Sequence, residues 1–472
     1  MTSVSPQPLR VSVSDRLERL PICRWHHMVC ALMIGAFMFE LIDLYTFAFS
    51  APALIEHLGF TVRDVGAITA ATGVGAFIGA FAGGWAAGRF GRKPTLVACL
   101  LLFSAPSLLN AAASTPESFM LLRFLIGIGY QGMTVVGAVL LAELVPGRVR
   151  GRAIAWVITI AGIGPTLLAW LAFALIPNFE WGWRALYVVG GLGLLLVGPF
   201  LRHLPESPRW LESRANLARA DSIMTGIEEA VRTAGHTITP LPASVPAPIA
   251  TSTSTENRGS GIRTLFREGY GKRFVVACAL WILGVVAYFG FTGWLSTLLK
   301  LKGYDLGQST LITAVVTTVG VLGFFASTVV TDRWQRKHSL AVIGTVLGIV
   351  ALLFTAGNST AYVLGIGCVL QVLFQVVVPL TQTYSAEIFP TRFRSIGSGW
   401  ASASARLGNI LGAFAITAIL DHFGIPAVFY FIAALMFILA MVMAFLGEST
   451  SGSLERSDEL ADPESAVPAG GN

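Results

Sequence analysis

Twelve stretches of mostly apolar residues, each about the length that crosses a bilayer, recur along this chain. They lie near 27–50, 64–87, 94–113, 118–141, 153–176, 184–202, 273–299, 308–331, 339–356, 361–384, 396–420 and 426–446. A helix needs about 20 such residues to cross ~30 Å of hydrocarbon. Inside lipid, only helices and closed barrels satisfy every backbone donor and acceptor. Buried helices of a soluble core would not repeat so many long runs with the charges confined between them. Charged residues make up 12% of the 472, about half the share of a soluble domain. The chain therefore reads as an all-α membrane protein with twelve transmembrane helices.

The net charge of +6 reflects topology rather than a nucleic-acid surface. Four short loops hold Arg89, Arg92, Lys93, Arg148, Arg150, Arg152, Arg333, Arg336, Lys337, Arg392 and Arg394, whereas the opposite loops hold Arg63, Arg184, Lys300 and Lys302. Basic loops stay in the cytoplasm, which places both termini and the long middle segment there and the protein in the inner (plasma) membrane. Residues 1–24 are polar, carry Arg10, Asp15, Arg16, Glu18 and Arg19, and show no cleavable signal. Cys23, Cys30, Cys99, Cys278 and Cys368 have neither metal-ligand nor disulfide spacing. A membrane enzyme lacks support too, with no nucleophile elbow or phosphate loop.

The second constraint is a repeat. "AELVPGRVRG" at 142–151 returns as "AEIFPTRFRS" at 386–395, an offset of 244 residues. The same offset carries "GFTVRDVGAITA" (59–70) onto "GYDLGQSTLITA" (303–314), Gly79–Arg89 onto Gly323–Arg333, and Gln131 onto Gln375. Two six-helix halves of the same orientation follow, a parallel repeat of the kind found in transporters whose site lies between the halves. The expected layout is a 1–26 tail, a bundle over 27–203, a linker over 204–272, a bundle over 273–446 and a 447–472 tail. Within the linker, "PESPRWL" (205–211) starts a helix with Ser207 as cap and Pro208 in the first turn. Trp210, Leu211, Leu217, Ile223 and Ile227 mark its apolar face, a Pro/Ser/Thr-rich tether follows over 237–261, and "IRTLFREGYGKRF" (262–274) suits the membrane surface.

"GWAAGRFGRK" (84–93) resembles the loop signature of the major facilitator superfamily, Gly-x-x-x-Asp-Arg-x-Gly-Arg-Arg/Lys. "PESPRWL", the paired "AELVPGRVRGR" and "AEIFPTRFRSIGSG", and "GESTSGSLE" (447–455) resemble its sugar-porter-type branch. "FELIDLY" (39–45), "WLSTLL" (294–299) and "ARLGNILG" (405–412) are similar to the metabolite:proton symporters, among them carriers of aromatic acids and other organic anions. Departures are visible. Gly88 stands where the signature has Asp, the second copy has Asp332 but Thr328 and Gln335 in place of Gly, and Gly447 replaces a Pro. The Gln-Gln pattern of hexose carriers is missing from 280–299, which argues against a hexose.

An ionised group at mid-membrane costs about 2.5–3.5 kcal/mol and so marks function or a built-in partner. Glu40 and Asp43 lie three residues apart on the first helix, roughly 20 and 24 Å along it. Carboxyls withdrawn from water favour the neutral form, so the pair can carry a proton; the resemblance implies the same, since the aromatic-acid symporters hold two acids there. Arg406 sits about ten residues into the eleventh helix, where a guanidinium can hold a carboxylate through two parallel bonds, and related organic-anion carriers present such an Arg to substrate. Gln131 and Gln375 are mid-helix amides that can bind substrate or bridge helices. Tyr45, Tyr288, Phe289 and Trp294 can stack an aromatic ring. Arg123 and Arg184, near helix ends, are expected to snorkel to headgroups.

The repeated loops have a latching role by the resemblance. Glu143 and Glu387 should pair with Arg89/Arg92 and Arg333/Arg336 when the outer side is open, with Arg148, Arg150, Arg392, Arg394 and Asp332 in the same clusters. Gly75, Gly79 and Gly83 make one smooth helix face. The resulting expectation is a monomeric secondary transporter, not an enzyme. It moves a small organic carboxylate of the aromatic-acid kind with protons by alternating access, needs no cofactor beyond the proton gradient, and has substrate, protons and lipid as partners. The alternatives are an uncharged-metabolite or sugar carrier and a drug:proton antiporter, for which "GIGPTLLA" (162–169) lacks the flanking glycines.

Overall fold

The computed structural model describes residues 12–240 and 262–449. Twelve helices among them are long and apolar enough to cross a membrane, and they fall on the twelve expected runs. In order, the spans are Arg24–Leu58, Val62–Phe90, Arg92–Asn110, Pro116–Leu144, Gly147–Leu175 and Gly182–His203 in the first half. Gly271–Thr292, Leu306–Ser327, Arg336–Leu353, Thr360–Glu387, Arg392–Phe423 and Ile425–Leu446 follow in the second.

The fifth and seventh spans break, and the sixth passes through a 3-10 stretch at Leu192–Leu196. The fifth breaks at Gly162–Ile163, just before Pro165, whose ring nitrogen cannot donate to the preceding turn. The seventh turns at Gly293–Trp294 and resumes as Leu295–Leu301.

The chain packs as two compact units that do not coincide with the sequence halves. One holds Met1–Thr46, Val74–Leu168 and Arg184–Thr253; the other holds Phe47–Gly73, Ala169–Trp183 and Ser254–Asn472. The second unit thus takes in the ends of the first, second and fifth spans that lie away from the basic loops, and its own contacts explain why. Gly66 is pressed against Thr417, where an added Cβ would come 1.9 Å from the hydroxyl oxygen, and Gly73 meets Ile410. Arg63 Nε donates to Asp421 at 3.0 Å, Lys300 pairs with Glu56, and Trp170 Nε1 donates to Thr318 at 3.0 Å. Deeper in this unit, Phe291 stacks on Phe374 and Phe354 on Phe429, with Tyr288 edge-on to Phe374.

In the first unit, Met33, Leu96, Phe103, Met133, Leu140 and Phe200 form a buried core. The glycine face of the second span lies directly on the backbone of the fourth. A Cβ at Gly75, Gly79 or Gly83 would come within 2.1, 2.3 and 2.7 Å of Phe124 O, Ile128 O and Gly132 Cα. Backbone cannot swing aside as a side chain can, so Gly79→Ala should cost about 1–3 kcal/mol through overpacking. A lower melting temperature of the purified protein would register it; an unchanged one would mean the helices part freely.

The segment expected as a 1–26 cytoplasmic tail carries a helix in its described part. Val13–Glu18 is a helix, capped by Ser12, and it docks on the linker helix Leu217–Thr233. Val13, Leu17, Leu20 and Cys23 share a buried cluster with Leu211, Ala220, Met224, Ile227 and Val231. Arg16 and Arg19 close its edge by donating to Glu228 at 2.9 and 2.7 Å. Burial alone would raise the Glu228 carboxyl, but these two guanidiniums outweigh it and hold it below the usual carboxylate range. Ser207 caps Pro208–Ser213 as expected, accepting from Trp210 N at 3.2 Å. Residues 241–261 of the expected tether, and the expected tail from 450 onward, lie outside the described residues.

Candidate functional site: a buried acid–base pair between the first and fourth spans

Asp43 is fully buried, and three elements converge on it. From the third span, the Ser107 hydroxyl donates to one carboxylate oxygen and also lies 3.3 Å from the Tyr187 carbonyl. From the fourth, Arg123 Nη1 donates to the other carboxylate oxygen at 3.2 Å and to the Asp43 backbone carbonyl at 3.0 Å. The sixth span contributes Gly190, where a Cβ would stand 2.6 Å from the Ser107 hydroxyl and 2.9 Å from the carboxylate. Only glycine leaves room at that point.

Arg123 is 2% exposed. The expectation that it snorkels to headgroups is therefore wrong, because its partner lies sideways across the bundle rather than up the helix. Breaking a pair this deep leaves an uncompensated charge, at a cost of about 3–5 kcal/mol. Arg184, expected to snorkel as well, donates instead to the Ala111 carbonyl at the end of the third span.

Glu40, one turn before Asp43, has a partner of its own, the Thr134 hydroxyl on the fourth span. Each acid has a hydroxyl of its own, Thr134 for Glu40 and Ser107 for Asp43. Gln131 and Tyr45 are buried in the same unit.

The other candidates lie in the second unit. Arg406 is half-buried in the eleventh span, and among the described residues its guanidinium has no hydrogen-bond or ion-pair partner. Gln375 packs its Cβ against Gly323 of the eighth span. Gln371, a turn earlier and not singled out from sequence, accepts from Thr292 at 3.0 Å. Tyr288 joins the aromatic cluster, with Phe289 against it, and Trp294 is 3% exposed at the turn of the seventh span.

The loop residues separate into distinct arrangements. Arg92 clamps Glu143 with two parallel bonds of 3.0 Å, while Arg89 is exposed and does not share in it. Arg336 reaches Glu387 at 3.2 Å. The side chains of Asp332 and Arg333 lie outside the described residues. Arg148 donates to the Leu20 carbonyl at 2.8 Å, and Arg150 pairs with Glu18 at 3.4 Å, so the N-terminal helix seats on the first repeated loop. Arg392 pairs with Glu268 at 3.3 Å, and Arg394 is half-buried beside it in sequence.

Gly88, which stands where the signature has Asp, has its carbonyl held from the linker instead, by Trp210 Nε1 at 3.0 Å and by Arg214. Glu206 of "PESPRWL" caps the third span, accepting from Arg92 N at 2.8 Å and Lys93 N at 3.2 Å. Its oxygen would lie 2.2 Å from a Cβ at Gly91, whose φ is +109°. Neither linker contact was anticipated. The signal for both is an acid and an aromatic side chain beside a proline-started helix.

Comparison with known proteins agrees with this architecture. The model of the Major Facilitator Superfamily matches residues 32–366 and 308–469. A putative metabolite transport protein, YyaJ of Bacillus subtilis (strain 168), is 34% identical over 93% of this chain and 96% of its own length. The niacin transporter NiaP of Acinetobacter baylyi is 28% identical over 93% and 97%. A gallate transporter of Pseudomonas putida is 28% identical over 94% and 97%. Among solved structures, the partially occluded inward-open xylose transporter XylE from E. coli superposes with a TM-score of 0.70 at 18% identity, covering 91% of this chain and 99% of that one.

Proposed function

The chain belongs to the major facilitator superfamily and is a membrane transporter of metabolites rather than an enzyme, and we propose that it carries a small organic carboxylate of the aromatic-acid kind together with protons. The observation that carries this reading is the fully buried Asp43–Arg123 pair. A proton added to Asp43 would remove the carboxylate charge that Arg123 pairs with, which is unfavourable in a low-dielectric interior. Loading an organic anion at the same time keeps the protein interior close to charge balance.

Arg406 supplies the second argument. A half-buried guanidinium within a membrane span, without a described protein partner, suits an anion that comes and goes. Carriers of niacin and gallate among the relatives support an aromatic acid as the cargo. The basic loops support an inner-membrane placement with both termini cytoplasmic, and the chain works as a monomer with the proton gradient as its only energy source.

The direct test is uptake of labelled nicotinate, 4-hydroxybenzoate, gallate and xylose into proteoliposomes with an imposed pH gradient, acid outside. Acids should accumulate with the gradient, and xylose should not. Import of the best acid at a rate indifferent to the gradient would end the symport reading. Xylose uptake equal to that of the acids would end the carboxylate reading.

A further inference from the structure

The third span carries a buried polar stripe of which the pair above uses only one member. Ser104, Ser107 and Asn110 follow at three-residue intervals, about 60° apart around the helix, and all three are fully buried. Ser104 and Ser107 face the glycine-lined side of the sixth span in antiparallel register. A Cβ on Gly193 would lie 2.4 Å from the Ser104 hydroxyl, and one on Gly190 2.6 Å from that of Ser107. Arg184 reaches the carbonyl of Ala111, next to Asn110. The same register sets Asn110 opposite the Arg184–Tyr187 turn.

Among the described residues, neither the amide oxygen nor the amide nitrogen of Asn110 has a hydrogen-bond partner, and the Ser104 hydroxyl has none. A buried amide left unbonded is costly, and buried polar side chains are satisfied either by protein groups or by ordered water. Asn110 ends the third span at the far side from the basic loops, one turn from Ser107, whose hydroxyl sits on the Asp43 carboxylate. Ser104 extends the stripe one turn past it. The charged groups around the line are Arg123 from the fourth span, Glu40 on the first and Arg184 on the sixth.

We infer that Ser107, packed against Gly190 of the sixth span, and Asn110 one turn beyond it form a water-carried proton route from the far side of the membrane to Asp43. The inference rests on the proton-coupled reading above. It adds that the proton reaches Asp43 along the third and sixth spans, inside one structural unit. A side chain at Gly190 or Gly193 would collide with the Ser107 or Ser104 hydroxyl.

The test follows Asp43 directly and needs no substrate. In the full-length protein in lipid vesicles, the Asp43 carboxyl band is identified by its loss in Asp43→Asn. Its rise is then timed by infrared absorption after flash release of protons. Asn110→Val and Asn110→Thr share a shape and differ in one hydroxyl, so damage to packing is common to both. Val should slow protonation about tenfold relative to Thr, the effect of roughly one lost hydrogen bond in the relay. Equal rates in the two variants, or a wild-type rate in Val, would overturn the route and leave proton coupling intact. A wild-type band that never titrates would overturn both.

Discussion

Asp43→Asn is expected to abolish accumulation driven by a pH gradient while sparing exchange of substrate across the membrane. One pH unit is worth about 1.4 kcal/mol per proton, or about tenfold in the concentration ratio of a one-proton symporter; all of that gain should vanish. Asparagine has nearly the shape of the carboxyl and keeps an oxygen for Ser107 or Arg123, so the local geometry can survive. It cannot take up and release a proton. The substitution also removes the carboxylate charge that Arg123 pairs with, and taking one partner from a buried pair is costly, so stability should fall as well. The double variant Asp43→Asn, Arg123→Gln removes both charges and separates the effects: it should recover stability without recovering accumulation. Accumulation of labelled 4-hydroxybenzoate by Asp43→Asn at the wild-type ratio would remove Asp43 from coupling.

What could be read before the fold was known, and what could not, divides along one geometric line. The span count, the repeat and the helix start at Ser207–Pro208 depend on position along the chain, which apolar length and capping residues specify. Rotation about a helix is another matter. A soluble helix reveals its buried face by periodicity, but these spans are apolar all round. Nothing in the sequence therefore says which way Arg123 points. Its place near a helix end suggested headgroups, whereas rotation carries it onto Asp43. Glu40 and Asp43 read as a pair for the same reason: three residues separate them along the helix, yet each turns to a different neighbour, Thr134 and Ser107.

A second class of feature stayed hidden because it depends on close approach between distant segments. The N-terminal helix has no apolar run, only Val13, Leu17 and Leu20, which gain meaning once the linker helix offers Met224 and Ile227. The division of packing units within the first half likewise turns on Gly66 and Gly73 admitting the eleventh span. Small residues declare that something can come near without naming it. The Gly75–Gly79–Gly83 face was legible as a smooth surface, and only the structure identifies the fourth-span backbone as what lies on it.

Arg406→Lys should weaken binding of nicotinate far more than that of nicotinamide, the same ring with the carboxylate replaced by an uncharged amide. Lysine keeps the positive charge, so long-range attraction for an anion persists. It loses the planar fork that makes two parallel bonds to a carboxylate. Losing one charge-assisted bond of about 1.5–3 kcal/mol corresponds to roughly a 10- to 150-fold weaker affinity. The amide never made that pair of bonds and should lose little. Arg406 has no partner among the described residues, so no protein carboxylate is left stranded, and folding stability should hardly change. Competition of each compound against labelled nicotinate gives both affinities in one assay. A wide gap between the two losses places Arg406 against the carboxylate, while equal losses would make it a framework residue and return the cargo to the uncharged metabolites.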